Sequence, residues 1–360
     1  MAQDFWRNFD RYEIKEGMIT SLEIQNFRGL KHVTLSDLRR VNLVVGGNDT
    51  GKTSILEALI LLLGEGNSVS QLPTIFRNNQ SGDQSGNNSD DRENFWPWLF
   101  YDRKFENQIQ IVVRTDTSQT FGLNSQLVVE DSPGNLPKVP TLVRTATNGK
   151  TQALIQFRPG QLTINSPPSP GSFHVSCLSV RPSHPVLDAE KYNQIALELD
   201  GEARFERIMR EVEPRLKRLR YAKLPGTNSP LVFADLGLSR AVPATQMGQA
   251  FNRILHIYAE ILTSKTNVFL IDEIENGIFS ESLPMIWKGL LAICEEQDVQ
   301  IFATTHSREC VIAAHLAAQD RSKDELGVQR LQFVKGQIEA VRLGAKHIEL
   351  ASEMGLEVRL

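Results

Sequence analysis

The sequence predicts an α/β protein built on a mainly parallel sheet, with an antiparallel β lobe and a helical lobe inserted into it. Three short apolar runs lead to this fold class, because each ends in a cluster of polar residues. The first ends in a glycine-rich loop at Gly46, the second in two adjacent carboxylates at Asp272, and the third in Thr-Thr-His at His306. Buried parallel strands read as such apolar runs, and ligands bind beyond their carboxyl ends.

The composition is that of a soluble globular chain and excludes several classes of protein. The 360 residues are 41% hydrophobic and 23% charged, which excludes a disordered or collagen-like chain. The formal net charge of -4 excludes a polycation that coats nucleic acid, so any nucleic-acid contact must be local. No stretch approaches the roughly 18 apolar residues of a membrane helix. We therefore expect a cytoplasmic protein that does not bind a membrane.

Residues 1–17 are predicted to form a polar extension ahead of the patterned sequence. They are rich in charged residues and lack the apolar middle of a signal peptide. Alternation of apolar residues begins after Met18, so the domain is expected to span 18–360. The sequence leaves open whether translation starts at Met1 or at Met18.

A glycine-rich loop follows the mostly apolar run Val41–Val45 and precedes an apolar helix at 53–63. It fits the phosphate-binding pattern G-x-x-x-x-G-K-[ST] without a mismatch. Its glycines let successive backbone amides point at phosphate oxygens, while Lys52 is placed to contact the β and γ phosphates and Thr53 to ligate Mg²⁺. The alternative, a chance match on a surface turn, is disfavoured by the strand before it and the helix after it. The predicted nucleotide contacts are Gly46, Gly47, Asn48, Asp49, Thr50, Gly51, Lys52, Thr53 and Ser54.

Two further apolar runs bring candidate catalytic side chains to strand ends. After Val268–Ile271, Asp272 is predicted to hold Mg²⁺, and Glu273 to orient or deprotonate the water that attacks the γ phosphate. After Val299–Thr304, His306 is placed to hydrogen-bond the same phosphate. The alternatives are a solvated acidic turn and a structural histidine. The predicted catalytic residues are Lys52, Glu273 and His306.

The long segment between these motifs is predicted to hold two lobes. Residues 108–180 contain short alternating runs, among them Phe173–Leu178, which are typical of an antiparallel sheet. Residues 187–262 are predicted to be helical, and their first half is basic. Residues 77–94 contain no apolar side chain and are predicted to be a mobile loop, whereas 166–171 are predicted to be a rigid proline-rich connector.

Together these motifs resemble those of the ABC-type ATPases of the SMC, RecF and OLD group. The opening Met18–Leu30 is similar to their first strand with its N-F-[RK] ending, and the glycine-rich loop is similar to their G-x-N-[GD]-[ASTV]-G-K-[ST]. The carboxylate pair (Walker B) and His306 follow in the same order. The resemblance implies an ATPase that uses ATP and Mg²⁺ and dimerises head to head around two nucleotides. It also implies that Arg28 contacts the phosphates, with a solvated arginine after a strand as the alternative.

In the resembling family, a signature motif of one head contacts the nucleotide of the other. Only the stretch Ala244–Gln249, at the start of a predicted helix, lies in the matching position. It lacks the serine of L-S-G-G-Q or L-S-x-G, so either Thr245 supplies a hydroxyl or Gln246 occupies the serine's place. Thr245 and Gly248 are therefore candidate contacts in trans. The alternative is a plain helix N-terminus capped by Thr245.

The spacing of the motifs separates this chain from related classes. The 220 positions between Lys52 and Asp272 leave room for both lobes and favour an ABC-type head over an ordinary AAA+ protein. No coiled coil is predicted, and only 54 residues follow His306, too few for a Toprim nuclease domain of about 100 residues. These features imply a stand-alone OLD-like head. Gln161 and Gln194 are both candidates for the family's metal-contacting glutamine.

The biological task is predicted from a basic cluster and from the resemblance. Residues 202–223 hold eight Lys or Arg against four acids, and on helices they are expected to contact DNA or an acidic partner, or else to form a solvated face. The resemblance implies a homodimer or higher homo-oligomer that regulates a separately encoded effector, such as a nuclease, in DNA repair or antiphage defence. The alternative is a RecF-like, ATP-gated DNA clamp without a dedicated effector. A transporter ATPase is disfavoured by the poor signature.

Overall fold

The structure is a computed structural model of the chain. It describes residues 17–75, 95–128, 139–145, 149, 151–158, 161–165, 173–179, 184–223, 226, 229–319, 321 and 324–353. The predicted polar extension, apart from Gly17, the predicted mobile loop and the predicted proline-rich connector lie outside the described residues.

The described chain alternates strands and helices. The strands are β1 (Ile19–Phe27), β2 (Leu30–Leu35), β3 (Val41–Gly46), β4 (Gln110–Thr115), β5 (Thr120–Val128), β6 (Val139–Thr145), β7 (Thr151–Arg158), β8 (Gln161–Ile164), β9 (Val175–Leu178), β10 (Arg218–Lys223), β11 (Pro230–Asp235), β12 (Val242–Pro243), β13 (Val268–Ile271), β14 (Gln300–Thr304), β15 (Leu326–Val334) and β16 (Gln337–Leu343). The helices are α1 (Lys52–Leu63), α2 (Gly66–Ser70), α3 (Leu72–Ile75), α4 (Pro185–Ala196), α5 (Gly201–Val212), α6 (Gln249–Thr263), α7 (Leu283–Glu296), α8 (Arg308–Gln319) and α9 (Ala345–Glu353). None of these helices is long and apolar enough to cross a membrane.

The core sheet has the strand order β16-β15-β3-β14-β13-β9. Within it, β15, β3, β14, β13 and β9 pair in parallel, and β16 pairs antiparallel with β15. Every residue of β3, β13 and β14 is buried, because both faces of a parallel sheet are covered by other elements. The predicted α/β fold with a mainly parallel core sheet is confirmed.

The two faces of the core sheet pack against different elements. Leu43 and Val45 of β3 face helices α4 to α8, whereas Val44, between them, faces α1 and a second sheet. Eleven of the twelve residues of α1 are buried. This helix is therefore held between the two sheets, and it begins just beyond the carboxyl end of β3.

The second sheet is antiparallel and has the order β2-β1-β4-β5-β6-β7-β8. It corresponds to the lobe predicted at 108–180, but it also includes β1 and β2. The prediction that Phe173–Leu178 belongs to this sheet is wrong, because β9 pairs in parallel with β13 at the edge of the core sheet. An edge strand is only half-buried, so its apolar residues alternate as they do in an antiparallel strand.

The predicted helical lobe at 187–262 contains α4, α5 and α6 and also a small antiparallel sheet of β10, β11 and β12. The prediction that the basic region is helical throughout is therefore wrong. Exposed Arg218 and Arg220 flank buried Leu219, and this period of two is that of a strand. Four pairs join basic residues of the cluster to acids: Arg204 with Glu296, Arg210 with Glu206, Arg215 with Glu213, and Arg220 with Asp235.

Candidate nucleotide-binding site

The glycine-rich loop connects β3 to α1 through a series of left-handed backbone conformations. Gly46 has φ 150°, Asp49 φ 60° and Gly51 φ 85°. A Cβ atom on Gly46 would lie 2.4 Å from the carbonyl oxygen of Leu331, and one on Gly51 would lie 2.7 Å from the Leu30 side chain. Among the described residues, no side chain caps α1, so its first amides are free to bind an anion.

Lys52, the first residue of α1, folds back over this loop. Its Nζ donates hydrogen bonds to the carbonyl oxygens of Gly46, at 3.0 Å, and Gly47, at 2.7 Å. Burial lowers the pKa of Lys52, while the carboxylates of Asp272 and Glu273 act in the opposite direction. The ammonium group is therefore held at the centre of the loop that the motif predicts to surround the phosphates. The predicted nucleotide contacts from Gly46 to Ser54 all lie in this loop and the first turn of α1.

Thr53 and Asp272 meet at the carboxyl edge of the core sheet. The Thr53 hydroxyl lies 3.4 Å from Oδ1 of Asp272, although the two residues are 219 positions apart. Burial raises the pKa of Asp272, and hydrogen bonds from Thr304 and Thr53 act against this rise. A hydroxyl and a carboxylate are hard oxygen ligands of the kind that Mg²⁺ prefers. The donor set therefore fits the predicted magnesium site.

Glu273 and His306 lie side by side at the same edge. Oε1 of Glu273 is 3.9 Å from Nε2 of His306, and the two side chains are 42% and 35% exposed. Glu273 adopts φ 45°, which is uncommon for a residue other than glycine. The fold thus brings a carboxylate and an imidazole that remain open to solvent next to the loop and to Asp272.

Glu275 holds the turn that carries His306. Its Oε1 accepts hydrogen bonds from the backbone amides of His306, at 2.7 Å, and Ser307, at 3.1 Å. Ser307 in turn caps α8, since its hydroxyl accepts from the amide of Cys310. The turn after β13 and the turn after β14 are therefore bonded together. This role of Glu275 has no local signal in the sequence.

Arg28 lies against α1 rather than in solvent. Its guanidinium pairs with the buried carboxylate of Glu57 at 2.5 Å and stacks over the ring of Phe95 at 4.6 Å. The alternative of a solvated arginine is therefore wrong, because only 7% of this side chain is exposed. Glu57 is one helical turn beyond Thr53, so the pair lies directly behind the nucleotide loop. The predicted contact between Arg28 and the phosphates stays a prediction.

The signature-like stretch is not a capped helix start. Thr245 lies in the 3₁₀ turn Ala244–Gln246, and α6 begins at Gln249 with Gly248 as its N-cap residue. Among the described residues, no side chain caps α6, so the alternative of a Thr245 cap is wrong. The predicted contacts of Thr245 and Gly248 across a dimer stay predictions. Of the candidate glutamines, Gln161 begins β8 and Gln194 lies in α4.

Arg253 links α6, the helix that begins at the signature-like stretch, to the backbone of the carboxylate pair. Its guanidinium donates hydrogen bonds to the backbone carbonyls of Asp272, at 2.9 Å, and Ser179. Burial lowers its pKa, and the nearby carboxylates, Asp272 foremost, act in the opposite direction. Sequence reasoning missed this residue. The available signal was an arginine inside the apolar pattern of a predicted helix, which is uncommon unless the charge is paired.

Comparisons with known proteins agree with this geometry. Residues 18–157 match the family described as AAA ATPase domain, and residues 120–311 match the family described as AAA domain, putative AbiEii toxin, Type IV TA system. An ATP/GTP phosphatase of Helicobacter pylori is 21% identical and aligns with 82% of this chain and 86% of its own. The DNA replication and repair protein RecF of Nitrosococcus oceani is 56% identical over 50 residues, which are 14% of each chain.

Solved structures of SMC heads resemble the chain over most of its length. The SMC head bound to the C-winged helix domain of ScpA gives a TM-score of 0.49 at 13% identity, over 94% of this chain and 99% of the other. The SMC head of Thermotoga maritima gives a TM-score of 0.42 at 10% identity, over 91% and 99%. The second family match covers more than half of the residues. The chain therefore belongs to the family described as AAA domain, putative AbiEii toxin, Type IV TA system, and it is an ATPase.

Proposed function

We propose that the chain binds ATP with Mg²⁺ in the loop 46–53 and hydrolyses it at the carboxyl edge of the core sheet. The observation that carries this proposal is the 3.4 Å approach of the Thr53 hydroxyl to the Asp272 carboxylate. A magnesium ion shared by the loop and the carboxylate requires two such oxygen ligands close together. The fold supplies them from residues 219 positions apart. Bound Mg²⁺ supplies charge neutralisation to the β and γ phosphate oxygens.

The chain's own residues divide the remaining work. The free amides at the start of α1 and the ammonium group of Lys52 bind the phosphates, so that negative charge meets fixed donors. Glu273 orients the attacking water and accepts its proton, and its exposed carboxylate is open to that water. His306, 3.9 Å from Glu273, donates a hydrogen bond to the γ phosphate.

ATP drives two heads together, and hydrolysis releases them. The support is the resemblance to SMC and RecF heads and the contact of Arg253 with the backbone of Asp272, which couples α6 to the hydrolytic edge. Thr245 and Gly248, which precede α6, contact the nucleotide of the second head. The functional unit is then a homodimer, or a higher homo-oligomer, in the cytoplasm.

The heads regulate a separately encoded effector, such as a nuclease, in DNA repair or antiphage defence. The family description names a putative toxin of a type IV toxin–antitoxin system, which supports a defence role. The name of the Helicobacter pylori relative supports hydrolysis of ATP and GTP, so both nucleotides belong in the assays.

Glu273→Gln is the variant that tests this function. It keeps the size of the side chain but removes its negative charge and its basicity, so hydrolysis should fall about 100-fold or more while ATP stays bound. Phosphate release, nucleotide retained after gel filtration, and mass by light scattering are measured with ATP and Mg²⁺. Glu281→Gln, in the exposed 3₁₀ turn Ser280–Ser282, is the matched control and should behave as the parent. Hydrolysis by Glu273→Gln at the parent rate would show that another group is the base.

A DNA clamp is the second candidate function. The match to RecF over 50 residues supports it, and so does exposed Arg218 on β10. DNA that stimulates the ATPase of the parent but not of an Arg215→Glu, Arg218→Glu double variant would favour the clamp. Stimulation by a co-purifying protein, and not by DNA, would favour the effector.

A further inference from the structure

Thr304 is the last residue of β14, and its hydroxyl contacts the carboxylate of Asp272 and the backbone of Glu273. The hydroxyl donates a hydrogen bond to Oδ1 of Asp272 at 2.6 Å. The oxygen of the Thr304 hydroxyl also accepts a hydrogen bond from the backbone amide of Glu273 at 2.8 Å. The side chain is 1% exposed, so water does not compete for either bond.

This arrangement uses both hydrogen-bonding capacities of a hydroxyl group. A hydroxyl has one proton to donate and lone pairs to accept, whereas a carboxylate can only accept and an ammonium can only donate. Asp272 requires a donor, and the amide of Glu273 requires an acceptor. Among side chains of this size, only threonine and serine meet both requirements, and valine, which has the same shape as threonine, meets neither.

The strand register explains why Thr304 reaches both residues. Strands β13 and β14 are parallel, with Ile271 opposite Ala303, so the next residue of each strand, Asp272 and Thr304, are neighbours at the carboxyl edge. The backbone then turns sharply at Glu273, which has φ 45°. Such a conformation is unfavourable for a residue other than glycine and persists only where the surroundings fix it. The bond from its amide to Thr304 provides part of that fixation.

We propose that Thr304 is a positioning residue for ATP hydrolysis, one hydroxyl that sets the rotamer of Asp272 and the backbone turn of Glu273. It acts through these two residues and contacts neither nucleotide nor water itself. The inference rests on the proposed function of both carboxylates. It adds that metal ligation and water activation depend on the same buried hydroxyl. Removing the hydroxyl therefore impairs both together.

The chain offers a matched control in the next residue. Thr305 is also 1% exposed, and its hydroxyl accepts from the backbone amide of Ser307 at 3.0 Å. It makes no hydrogen bond to Asp272 or Glu273 among the described residues. Thr304→Val and Thr305→Val therefore remove the same group at the same depth, and they differ in what the hydroxyl touches.

The experiment compares Thr304→Val, Thr304→Ser and Thr305→Val in the full chain. We expect Thr304→Val to lower kcat about 100-fold, since a misplacement of about 1 Å at a catalytic group costs this much. Binding of a fluorescent ADP without Mg²⁺ should be unchanged, whereas the gain in affinity on adding Mg²⁺ should shrink several-fold. Thr304→Ser should return both quantities to within about threefold of the parent, and Thr305→Val should lower neither by more than about threefold.

Three results would overturn the proposal. The first is a Thr304→Val variant with the kcat and the Mg²⁺-dependent gain of Thr305→Val. The second is a Thr304→Ser variant as impaired as Thr304→Val while melting at the parent temperature, because the methyl group would then be what matters. The third is equal loss of ADP binding with and without Mg²⁺ in folded Thr304→Val. A parent protein that releases no phosphate from ATP refutes the proposed function instead, so the two failures are distinguishable.

Discussion

The nucleotide loop, residues 46–53, and the hydrolytic edge, residues 272–275 and 304–307 at the carboxyl edge of the core sheet, lie next to each other but are held in place by different means. The loop 46–53 is shaped by backbone conformations within eight consecutive residues, three of them with positive φ. The edge is shaped by hydrogen bonds between two segments about 30 positions apart: the Thr304 hydroxyl donates to Asp272, and the His306 amide donates to the Glu275 carboxylate. One region is local in sequence, and the other depends on the register of β13 and β14.

This difference determines how each region fails. A change in the loop acts where it is made, because each loop residue contributes its own backbone geometry or its own phosphate contact. A change at the edge moves groups on the neighbouring turn, because each bond joins two turns. Variants of the loop should therefore change nucleotide affinity or stability, whereas variants of the edge should change turnover.

Lys52→Ala should have the largest effect and should separate binding from turnover. Removal of the ammonium group from the phosphate loop is expected to weaken ATP binding about 100-fold or more, since charge-assisted contacts to phosphate are the strong ones. Titration with a fluorescent ATP analogue measures this loss. Lys31→Ala, an exposed residue of β2, serves as the control. If Lys52→Ala bound ATP with the affinity of the parent but lost turnover, Lys52 would act in hydrolysis and not in nucleotide binding.

Glu57→Ala should have the next largest effect, which is a loss of folding stability. It leaves the Arg28 guanidinium buried without its carboxylate partner, and breaking a buried ion pair by removing one partner costs about 3 kcal/mol. Urea unfolding without nucleotide measures the free energy. Lys104→Ala breaks the pair with Asp102, in which both side chains are 61% exposed, and should give no resolvable change. A small loss for Glu57→Ala would mean that the stacking of Arg28 on Phe95 carries the interaction.

Most of the fold could be predicted from the sequence because buried strands and local motifs leave a direct signal. The run Val268–Ile271 is apolar throughout, and Val41–Val45 is apolar except for Asn42, because both sides of the core sheet are covered. The signal fails at partly buried strands. β9 lies at a sheet edge and alternates as an antiparallel strand does, and β10 carries arginines that composition alone assigns to a helix.

The site divides in the same way. Lys52, Thr53, Asp272, Glu273 and His306 could be found because each follows directly on a strand or lies in a motif of fixed spacing. The roles of the supporting residues could not be found, since each arises from a contact formed only on folding. Thr304 and Glu275 reach across 31 or 32 positions to their partners, and Arg253 bonds a backbone carbonyl 19 positions away. Backbone partners leave no mark in the sequence.

The two glycines at the start of the loop test its local character. Gly46→Ala requires a left-handed φ and brings a Cβ atom within 2.4 Å of the carbonyl oxygen of Leu331, so it should lower the free energy of unfolding by about 2 kcal/mol. At Gly47, a Cβ atom would meet nothing closer than 3.8 Å, and Gly47→Ala should be nearly neutral. Unfolding without nucleotide compares the two. Equal losses would show that the loop is not held by this backbone contact.

Glu275→Ala should give the smallest effect and the most specific one. Loss of its carboxylate frees the amides of His306 and Ser307 but leaves Lys52 and Asp272 in place, so we expect about a tenfold fall in kcat with little change in ATP affinity. Glu281→Ala, an exposed acid farther along the same segment, should match the parent. If Glu275→Ala weakened ATP binding as much as turnover, the loop and the edge would not be separable. The turn that carries His306 would then be part of the phosphate site.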